Sequence, residues 1–243
     1  MGSPSASTLP TDLPFVYVDD VESPRLDSEQ EAHLRRSLRC REGDRIVVCD
    51  GSGRWRTAVL ADPPRPEGET VGCDPPDKTL TVAFAAPKGE RLDWAVQKLT
   101  EIGVDRITIV EFDRSVVRWD PERAGRRVER LRRVARAAGE QARRVRLPAI
   151  DGPVLVDELG EESGFGPDAM VAHPAGTPVG EWLGGDGMGS CLLVGPEGGF
   201  SEREENLLGD RSFVRLAETV LRTETAAVAA GLALVWHWRL MQL

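Results

Sequence analysis

The segment between residues 191 and 240 constrains the fold more than any other. An apolar run at 192–194 stops at the turn Gly-Pro-Glu-Gly-Gly, residues 195–199, which indicates a buried strand ending in a turn whose backbone a ligand can approach closely. Ser201 and Glu204 have the spacing of a helical capping box, so we expect a short helix directly after the turn. The turn is then held between a strand and a helix.

A second polar loop follows about twenty residues later. The apolar stretch 213–217 ends in the polar residues 218–225, where Thr223 or Thr225 can cap the apolar helix that comes next, predicted from Thr225 to Leu240. We expect the two loops to leave neighbouring strands of an α/β sheet, at the carboxyl ends where ligands usually bind. The first turn alone is equally typical of a plain strand-to-helix connection. It matches neither the dinucleotide fingerprint nor the phosphate loop.

The first third of the chain has a different pattern from the remainder. Short β-rich pieces, interrupted by a helix from Ser28 to Leu38, predict a small β-barrel or sheet. Ser28 and Glu31 have the spacing of a capping box for this helix. Residues 61–78 are rich in Pro, Gly and acidic side chains, which indicates a domain boundary or a flexible loop. From residue 79 onward strands and helices alternate, with a helix from about Arg91 to Ile102 that Gly103 ends, a strand from Asp168 that ends at His173, and a glycine-rich loop at 175–190 containing a short helix. This alternation predicts a parallel sheet. The expected organisation is a disordered leader at 1–11, one domain at 12–76 and a larger α/β domain at 77–243.

Charge is distributed unevenly along the chain. The formal net charge of −9 argues against indiscriminate nucleic-acid binding by the whole surface. Residues 114–146, however, contain twelve arginines and only four acidic residues. A helix is predicted from Pro121 to about Arg144, with an apolar stripe facing inward and its arginines outward. These arginines are either a solvated face or a multivalent contact to phosphates.

The four cysteines have the spacing of neither a zinc site nor a disulfide framework. The first residues lack the basic and apolar regions of a secretory signal. The longest strongly apolar run, 226–236, is shorter than the roughly 20 residues that cross a bilayer. We expect a soluble cytoplasmic protein with no metal site and no membrane partner.

Two separated motifs carry a family resemblance. The sequences VGPEGGF, at 194–200, and LAETVLRTETA, at 216–226, resemble the two signature segments of the SPOUT RNA methyltransferases. The nearest type is RsmE, which methylates N3 of a uridine in bacterial 16S ribosomal RNA. The segment KGERLDWAVQKLTEIGVDRI, at 88–107, and the segment HLRRSLRCREGDRIVVCDGSG, at 33–53, resemble the corresponding parts of that family.

This resemblance implies a fold, a cofactor and partners. The implied fold is a SPOUT-type trefoil-knotted parallel sheet domain preceded by a small PUA-like β-barrel domain. The implied cofactor is S-adenosyl-L-methionine, and the implied substrate is 16S rRNA within the small ribosomal subunit. The resemblance also implies a homodimer with the active site at the subunit interface.

The resemblance assigns residues to three roles. Arg222 is the candidate for stabilising the negative charge on the reacting uracil, and Glu224 or Glu101 for taking the N3 proton; a local ion pair between Arg222 and Glu224 is an equally good interpretation. The residues implied for the cofactor pocket are His173, Pro174, Val194, Gly195, Pro196, Glu197, Gly198, Gly199, Leu216, Leu221, Thr223, Thr225 and Ala226. The residues implied for RNA contact are Lys98, Arg114, Gln141, Arg144, Arg35 and Arg36.

Other functions remain open at this stage. The sequence does not exclude a SPOUT methyltransferase that modifies another nucleotide or position, because pocket shape rather than a motif selects the base. A non-catalytic RNA-binding factor for ribosome assembly would use the β-barrel and the arginine-rich helix and would leave the loops at 195–199 and 216–226 without a ligand. An enzyme with another nucleotide-like cofactor is disfavoured because the Rossmann and Walker patterns are missing.

Overall fold

The structure, a computed structural model, describes residues 9–183, 185 and 187–240. The chain divides into two compact units: one comprises residues up to 76 together with 136–147, and the other residues 77–135 together with those from 148 onward. Residues 1–8 of the predicted leader lie outside the described residues. In the rest of that leader, Leu9 packs beside the buried cluster that includes Trp55, and the Pro10 carbonyl accepts a hydrogen bond from Arg143 at 2.9 Å.

The first unit is built on one mixed sheet. Its strands are β1 (Phe15–Tyr17), β2 (Arg45–Cys49), β3 (Arg54–Val59) and β4 (Arg65–Gly72), and its helix α1 (Ser28–Ala32) continues through a wider turn at His33–Ser37. The strands lie side by side in chain order; β1 is parallel to β2, and the other neighbouring pairs are antiparallel.

Strand β4 corrects one expectation. The segment 61–78 was predicted as a boundary or flexible loop. The division between the units does fall within it, after Pro76, but residues 65–72 form a strand that pairs with β3 along the edge of the sheet. Most of β4 is exposed. Pro, Gly and acidic residues are tolerated on an exposed edge strand because only one side needs to be paired, so its composition hides the strand.

The N-terminal cap of α1 differs from the expected one. Asp27, rather than Ser28, is the N-cap: its carboxylate accepts a hydrogen bond from the Gln30 N–H at 2.8 Å, and Gln30 Oε1 accepts from the Asp27 N–H at 3.0 Å. The predicted pairing of Ser28 with Glu31 is wrong, because an aspartate one residue earlier forms the same reciprocal cap.

The second unit is built on a six-stranded sheet whose neighbouring strands are all parallel. The predicted α/β fold with a parallel sheet is confirmed. The strands are β5 (Thr81–Ala85), β6 (Arg106–Glu111), β7 (Ala149–Leu155), β8 (Met170–Pro178), β9 (Cys191–Val194) and β10 (Phe213–Arg215), in the order β10-β8-β9-β5-β6-β7. The helices are α2 (Arg91–Ile102), α3 (Pro121–Gln141), α4 (Val179–Leu183), α5 (Glu202–Leu208) and α6 (Thr223–Val235).

The sheet has a core on both faces, as expected for parallel strands. Every residue of β5 is buried. One face packs against apolar residues of α2, α3 and α6, and the other against a cluster that includes Phe112, Phe165 and Phe200. Helix α6 approaches α2 closely at Gly231, where an added Cβ would lie 2.6 Å from Leu99 Cδ2.

The sheet order corrects the expected strand arrangement. The strands that precede the two polar loops, β9 and β10, were predicted to be neighbours, but β8 lies between them. The strand expected to stop at His173 also continues to Pro178, through a segment predicted as a loop. At Gly176 an added Cβ would lie 2.5 Å from the Phe213 carbonyl carbon, so this glycine permits the close approach of β8 to β10 rather than marking a loop.

The last turns of α3 belong to the first unit. Arg136 donates a hydrogen bond to the Tyr17 carbonyl at 2.8 Å, and the Tyr17 hydroxyl donates to the Arg144 carbonyl at 2.5 Å. An added Cβ at Gly139 would lie 2.5 Å from that hydroxyl oxygen. Glycine therefore lets this end of the helix lie directly against β1.

Helix α6 begins two residues earlier than the expected start at 225 and continues beyond Val235 through a wider turn at Trp236–Leu240. No helix among the described residues is long and apolar enough to cross a bilayer. In the same part of the chain, no group of three or more His, Cys, Asp or Glu side chains is placed to hold a metal ion.

Candidate active site

The turn at 195–199 is fixed by the helix that follows it. Gly199 has a φ of +70°, in the left-handed region that favours glycine. Ser201 is the N-cap of α5: its hydroxyl accepts a hydrogen bond from the Glu204 N–H at 3.3 Å, and Glu204 Oε2 accepts from the Ser201 N–H at 2.8 Å. The predicted capping box is confirmed, and it sets the direction in which the chain leaves the turn.

Packing beneath Gly195 fixes the other end of the turn. An added Cβ at this position would lie 2.8 Å from two ring carbons of Phe200. The ring is 7% exposed and packs against Phe112, with ring centroids 5.6 Å apart. Glycine is therefore required here by the aromatic ring and not by an unusual φ.

Arg114 holds the turn from the neighbouring loop. This residue follows β6, and its guanidinium donates hydrogen bonds to the carbonyls of Gly198 at 3.1 Å and Phe200 at 2.9 Å. A charged donor on two carbonyls restrains the backbone of the turn. The RNA contact predicted for Arg114 stays a prediction, and in this structure its side chain is committed to the turn.

A carboxylate network joins α5 to the end of β6. The fully buried Glu204 accepts a hydrogen bond from the Asp113 N–H at 2.6 Å. Asp113 in turn accepts from the Ser201 hydroxyl at 2.6 Å and from Arg203 at 2.7 Å. The hydrogen bonds from Arg203 and then Ser201 lower the pKa of Asp113 to about 2.

The second loop is joined to the first by Thr223. The N-cap of α6 is Arg222, which makes no side-chain capping bond, so the prediction that Thr223 or Thr225 caps this helix is wrong. The Thr223 hydroxyl instead donates to the Gly195 carbonyl at 3.4 Å. This contact brings the two loops together even though β8 separates the strands they leave.

The two loops and β8 enclose a cavity of about 280 Å³. Of the thirteen residues predicted for the cofactor pocket, eleven line this cavity, and Gly198 and Thr225 do not. His173 lies in its wall, where Nδ1 accepts a hydrogen bond from the Ala175 N–H at 3.1 Å. The cavity is also lined by residues that the sequence did not single out: Ala172, Phe200, Val214, Arg215, Ala217, Thr219 and Val220.

Most of these additional lining residues could have been found from their position in the sequence. Ala172, Phe200 and Ala217 are adjacent in sequence to predicted pocket residues, and Thr219 and Val220 lie within the polar loop itself. A loop that closes on a ligand lines the pocket along its whole length. Arg215 directly precedes the predicted Leu216, whereas Val214 lies inside β10 and has no predicted pocket residue beside it.

Comparison with known proteins places the chain in a family. Residues 74–235 match the model of an RNA methyltransferase domain, and residues 26–68 match an RNA methyltransferase PUA domain. The chain is 35% identical to the ribosomal RNA small subunit methyltransferase E of Mycobacterium bovis, over 84% of this chain and 83% of that protein. The chain belongs to the ribosomal RNA small subunit methyltransferase E family.

Two further members illustrate the extent of the similarity. The small subunit methyltransferase E of Bacillus subtilis is 27% identical over 93% of this chain and 94% of its own length. The crystal structure of the Neisseria gonorrhoeae methyltransferase E, bound to S-adenosyl methionine, is 25% identical with a TM-score of 0.75, covering 93% of this chain and 98% of that one. The similarity therefore extends over both units of this methyltransferase.

The predicted catalytic residues of this methyltransferase lie outside the cavity lining. Arg222 is exposed at the start of α6, and within the described residues its side chain makes no salt bridge or hydrogen bond. Glu224 is 7% exposed; Oε1 lies 3.5 Å from Arg91 Nε, and Oε2 has no hydrogen-bond partner in the described part of the chain. Glu101 accepts two hydrogen bonds from Lys98, at 2.9 and 2.8 Å. Among the described residues Glu224 is paired with Arg91 and not with Arg222, so the local ion pair suggested between Arg222 and Glu224 is not formed.

The predicted RNA-contacting residues fall in both units. Lys98 and Arg114 belong to the second unit, where each already has a partner. Four of them belong to the first unit. There Arg35 and Arg36 are exposed on the wider turn after α1, Gln141 is the exposed last residue of α3, and Arg144 is half-buried.

Proposed function

We propose that this chain transfers a methyl group from S-adenosyl-L-methionine to N3 of a uridine in 16S rRNA of the small ribosomal subunit. The observation that carries the proposal is the cavity on which both predicted loops close, joined by the bond from Thr223 to Gly195. The cavity lies within residues 74–235, which match the RNA methyltransferase domain. The N. gonorrhoeae relative bound to S-adenosyl methionine supports the choice of cofactor.

The residues of the cavity fit this cofactor. The volume of about 280 Å³ is close to the lower end of pockets that bury small molecules, roughly 300–1,000 Å³. Pro196, Leu216 and Leu221 supply apolar walls for a purine ring. The turn 195–199 and the loop 216–222 offer backbone N–H and C=O groups to its polar edge. A nucleoside is a good match for a pocket of this composition.

Methylation of uracil N3 asks little covalent chemistry of the protein. When bound, S-adenosylmethionine supplies an electrophilic methyl group on a sulfonium. The protein must hold the uracil in line with that group, remove the N3 proton and neutralise the charge that spreads onto O2 and O4. We assign charge neutralisation to Arg222, whose guanidinium has no carboxylate partner in the described part of the chain.

Of the two candidate bases, we assign proton removal to Glu224. Its buried carboxylate has one oxygen with no partner among the described residues, whereas both oxygens of Glu101 accept from Lys98. Oε1 of Glu224 lies 3.5 Å from Arg91 Nε, which leaves Oε2 as the atom we assign to accept the N3 proton. Glu101 and Lys98 are then a positioning pair on α2, the helix that packs against α6.

We also propose the finer architecture implied by the family. Residues 12–76 form a PUA-like β-barrel and residues 77–243 a trefoil-knotted SPOUT domain; residues 136–147 pack with the first of these. The match of residues 26–68 to a PUA domain supports the barrel. Gln141, Arg144, Arg35 and Arg36 would contact RNA from this domain, and Lys98 and Arg114 from the other.

The surface of α6 supports the homodimer. Leu232, Trp236 and Leu240 are spaced four residues apart and are 47%, 50% and 56% exposed. Helix α6 is apolar on all sides, so its outer face is suited to a second copy of the chain. We propose that two chains associate along this face and, as the family resemblance implies, that the active site lies at the subunit interface. Light scattering should give a dimer for the wild type and a monomer for Trp236→Glu; a dimeric Trp236→Glu variant would exclude this face.

The reaction is tested on ribosomal subunits that lack the modification. Small subunits from cells without this protein are incubated with the purified chain and methyl-labelled S-adenosylmethionine, and the labelled base is mapped. We expect label on N3 of one uridine of 16S rRNA, and loss of label with Arg222→Met. Label on another nucleotide would support a different methyltransferase specificity. Absence of S-adenosylmethionine binding in calorimetry would leave only an RNA-binding role.

A further inference from the structure

The cavity lining includes an arginine that has no carboxylate partner among the described residues. Arg215, the last residue of β10, lines the cavity. Within the described residues its side chain makes no salt bridge or hydrogen bond, whereas Arg203 and Arg211 of the same unit bind carboxylates or carbonyls. A guanidinium that the fold does not use for its own packing is available to an anionic group of a ligand.

We infer that Arg215 binds the α-carboxylate of S-adenosylmethionine and so selects for the methionine part of the cofactor. This inference rests on the proposed function. S-adenosylmethionine carries two positive groups, the sulfonium and the α-ammonium, and its only negative group is the α-carboxylate. Guanidinium and carboxylate match in charge and in hydrogen-bond geometry. The loops bind the nucleoside, and Arg215 adds a contact to the amino-acid part.

The position of Arg215 favours a cofactor group over an RNA phosphate. Arg215 ends the edge strand β10 and belongs to the cavity lining together with Val214 and Leu216. Arg215 itself is half-buried. Arg222, by contrast, is exposed and lies outside the cavity lining, as suits a residue that meets the RNA.

Two ligands separate the parts of this site. Isothermal titration calorimetry of the full chain compares S-adenosylmethionine with 5′-methylthioadenosine, which has the same nucleoside and sulfur but no amino-acid group. We expect Arg215→Met to lower the affinity for S-adenosylmethionine roughly ten- to a hundred-fold, as for the loss of a hydrogen bond to a charged group. The affinity for 5′-methylthioadenosine should not change. Arg215→Lys keeps the charge without the planar fork, so its affinity should be intermediate.

Controls make each outcome decisive. Arg126→Met removes an equally charged, exposed arginine from α3 and should leave both affinities unchanged. Unchanged binding of 5′-methylthioadenosine also shows that Arg215→Met is folded. The inference would be overturned if Arg215→Met lowered the affinities for both ligands equally. It would also be overturned if this variant bound S-adenosylmethionine normally but rRNA more weakly. Either result would leave the proposed function intact. If the wild type binds neither ligand, the proposed function itself fails.

Discussion

Substituting Gly195 by Ala tests whether the packing of the turn controls the cavity. The added Cβ would lie 2.8 Å from two ring carbons of Phe200, well inside normal contact distance. The ring cannot swing out, because it is 7% exposed and packed against Phe112. The turn must therefore move, and its bond from Thr223 must lengthen.

The magnitude follows from the cost of overpacking. Forcing one extra methyl group into a packed core costs about 2 kcal/mol. For a domain of this size, that corresponds to a fall of roughly 4–8 °C in the melting midpoint. The free protein can relieve about 1.4 kcal/mol of this strain by moving the turn out of the geometry that binds the cofactor. Binding must restore that geometry, so the affinity for S-adenosylmethionine falls about tenfold. Differential scanning fluorimetry and calorimetry measure the two effects.

A matched control and a rescue define the outcome. Gly125→Ala makes the same substitution inside α3, with no atom within 4 Å of the new Cβ, and should raise stability by about 0.5–1 kcal/mol. A Phe200→Leu background should reduce the cost of Gly195→Ala, because the opposing ring carbons are removed. The reasoning is refuted if Gly195→Ala melts and binds like the wild type, or if its cost is the same in the Phe200→Leu background.

Three other predictions concern the supports of the turn. Glu204→Ala leaves two N–H groups near α5 without their acceptor and should cost about 2–4 kcal/mol in chemical denaturation, whereas the exposed Glu205→Ala should change little. Arg203 lowers the pKa of Asp113, so the stabilisation from this carboxylate is present above the usual aspartate range and is lost as pH falls toward 2. The melting temperature of Asp113→Asn should therefore fall less steeply than that of the wild type over this interval. Equal slopes for the two proteins would contradict this. Arg114→Met should weaken S-adenosylmethionine several-fold with a smaller effect on melting, and a normal affinity would show that the turn does not need it.

Local features of the site were predictable because they depend on neighbours in sequence. The apolar run of β9, the turn at 195–199 and the cap formed by Ser201 and Glu204 involve residues within a few positions of one another. Helix α2 was predicted with its observed bounds, Arg91–Ile102, because an apolar stripe and the terminating Gly103 define it. In each case the physical cause lies inside the segment itself.

Tertiary features were missed because their causes lie elsewhere in the chain. The glycine-rich end of β8 resembles a loop until Phe213 is known to lie against Gly176. Strand β4 resembles a linker because an edge strand tolerates Pro and Gly. Thr223 was predicted as a possible helix N-cap, but its hydroxyl donates a hydrogen bond to the carbonyl of Gly195, 28 residues earlier in the chain.

The position of β8 between β9 and β10 determines how the site can work. A ligand held by the loops after β9 and β10 must cross the edge of β8, so residues 172–174 become its wall. There the Nδ1 atom of His173 accepts a backbone hydrogen bond and its ring packs on Phe213, with centroids 5.2 Å apart. An imidazole held in this way shapes the pocket and is poorly placed to act as a base. Because the binding groups come from three strands, the cavity exists only when the whole sheet has formed, and ligand binding should therefore stabilise the entire second unit rather than one loop.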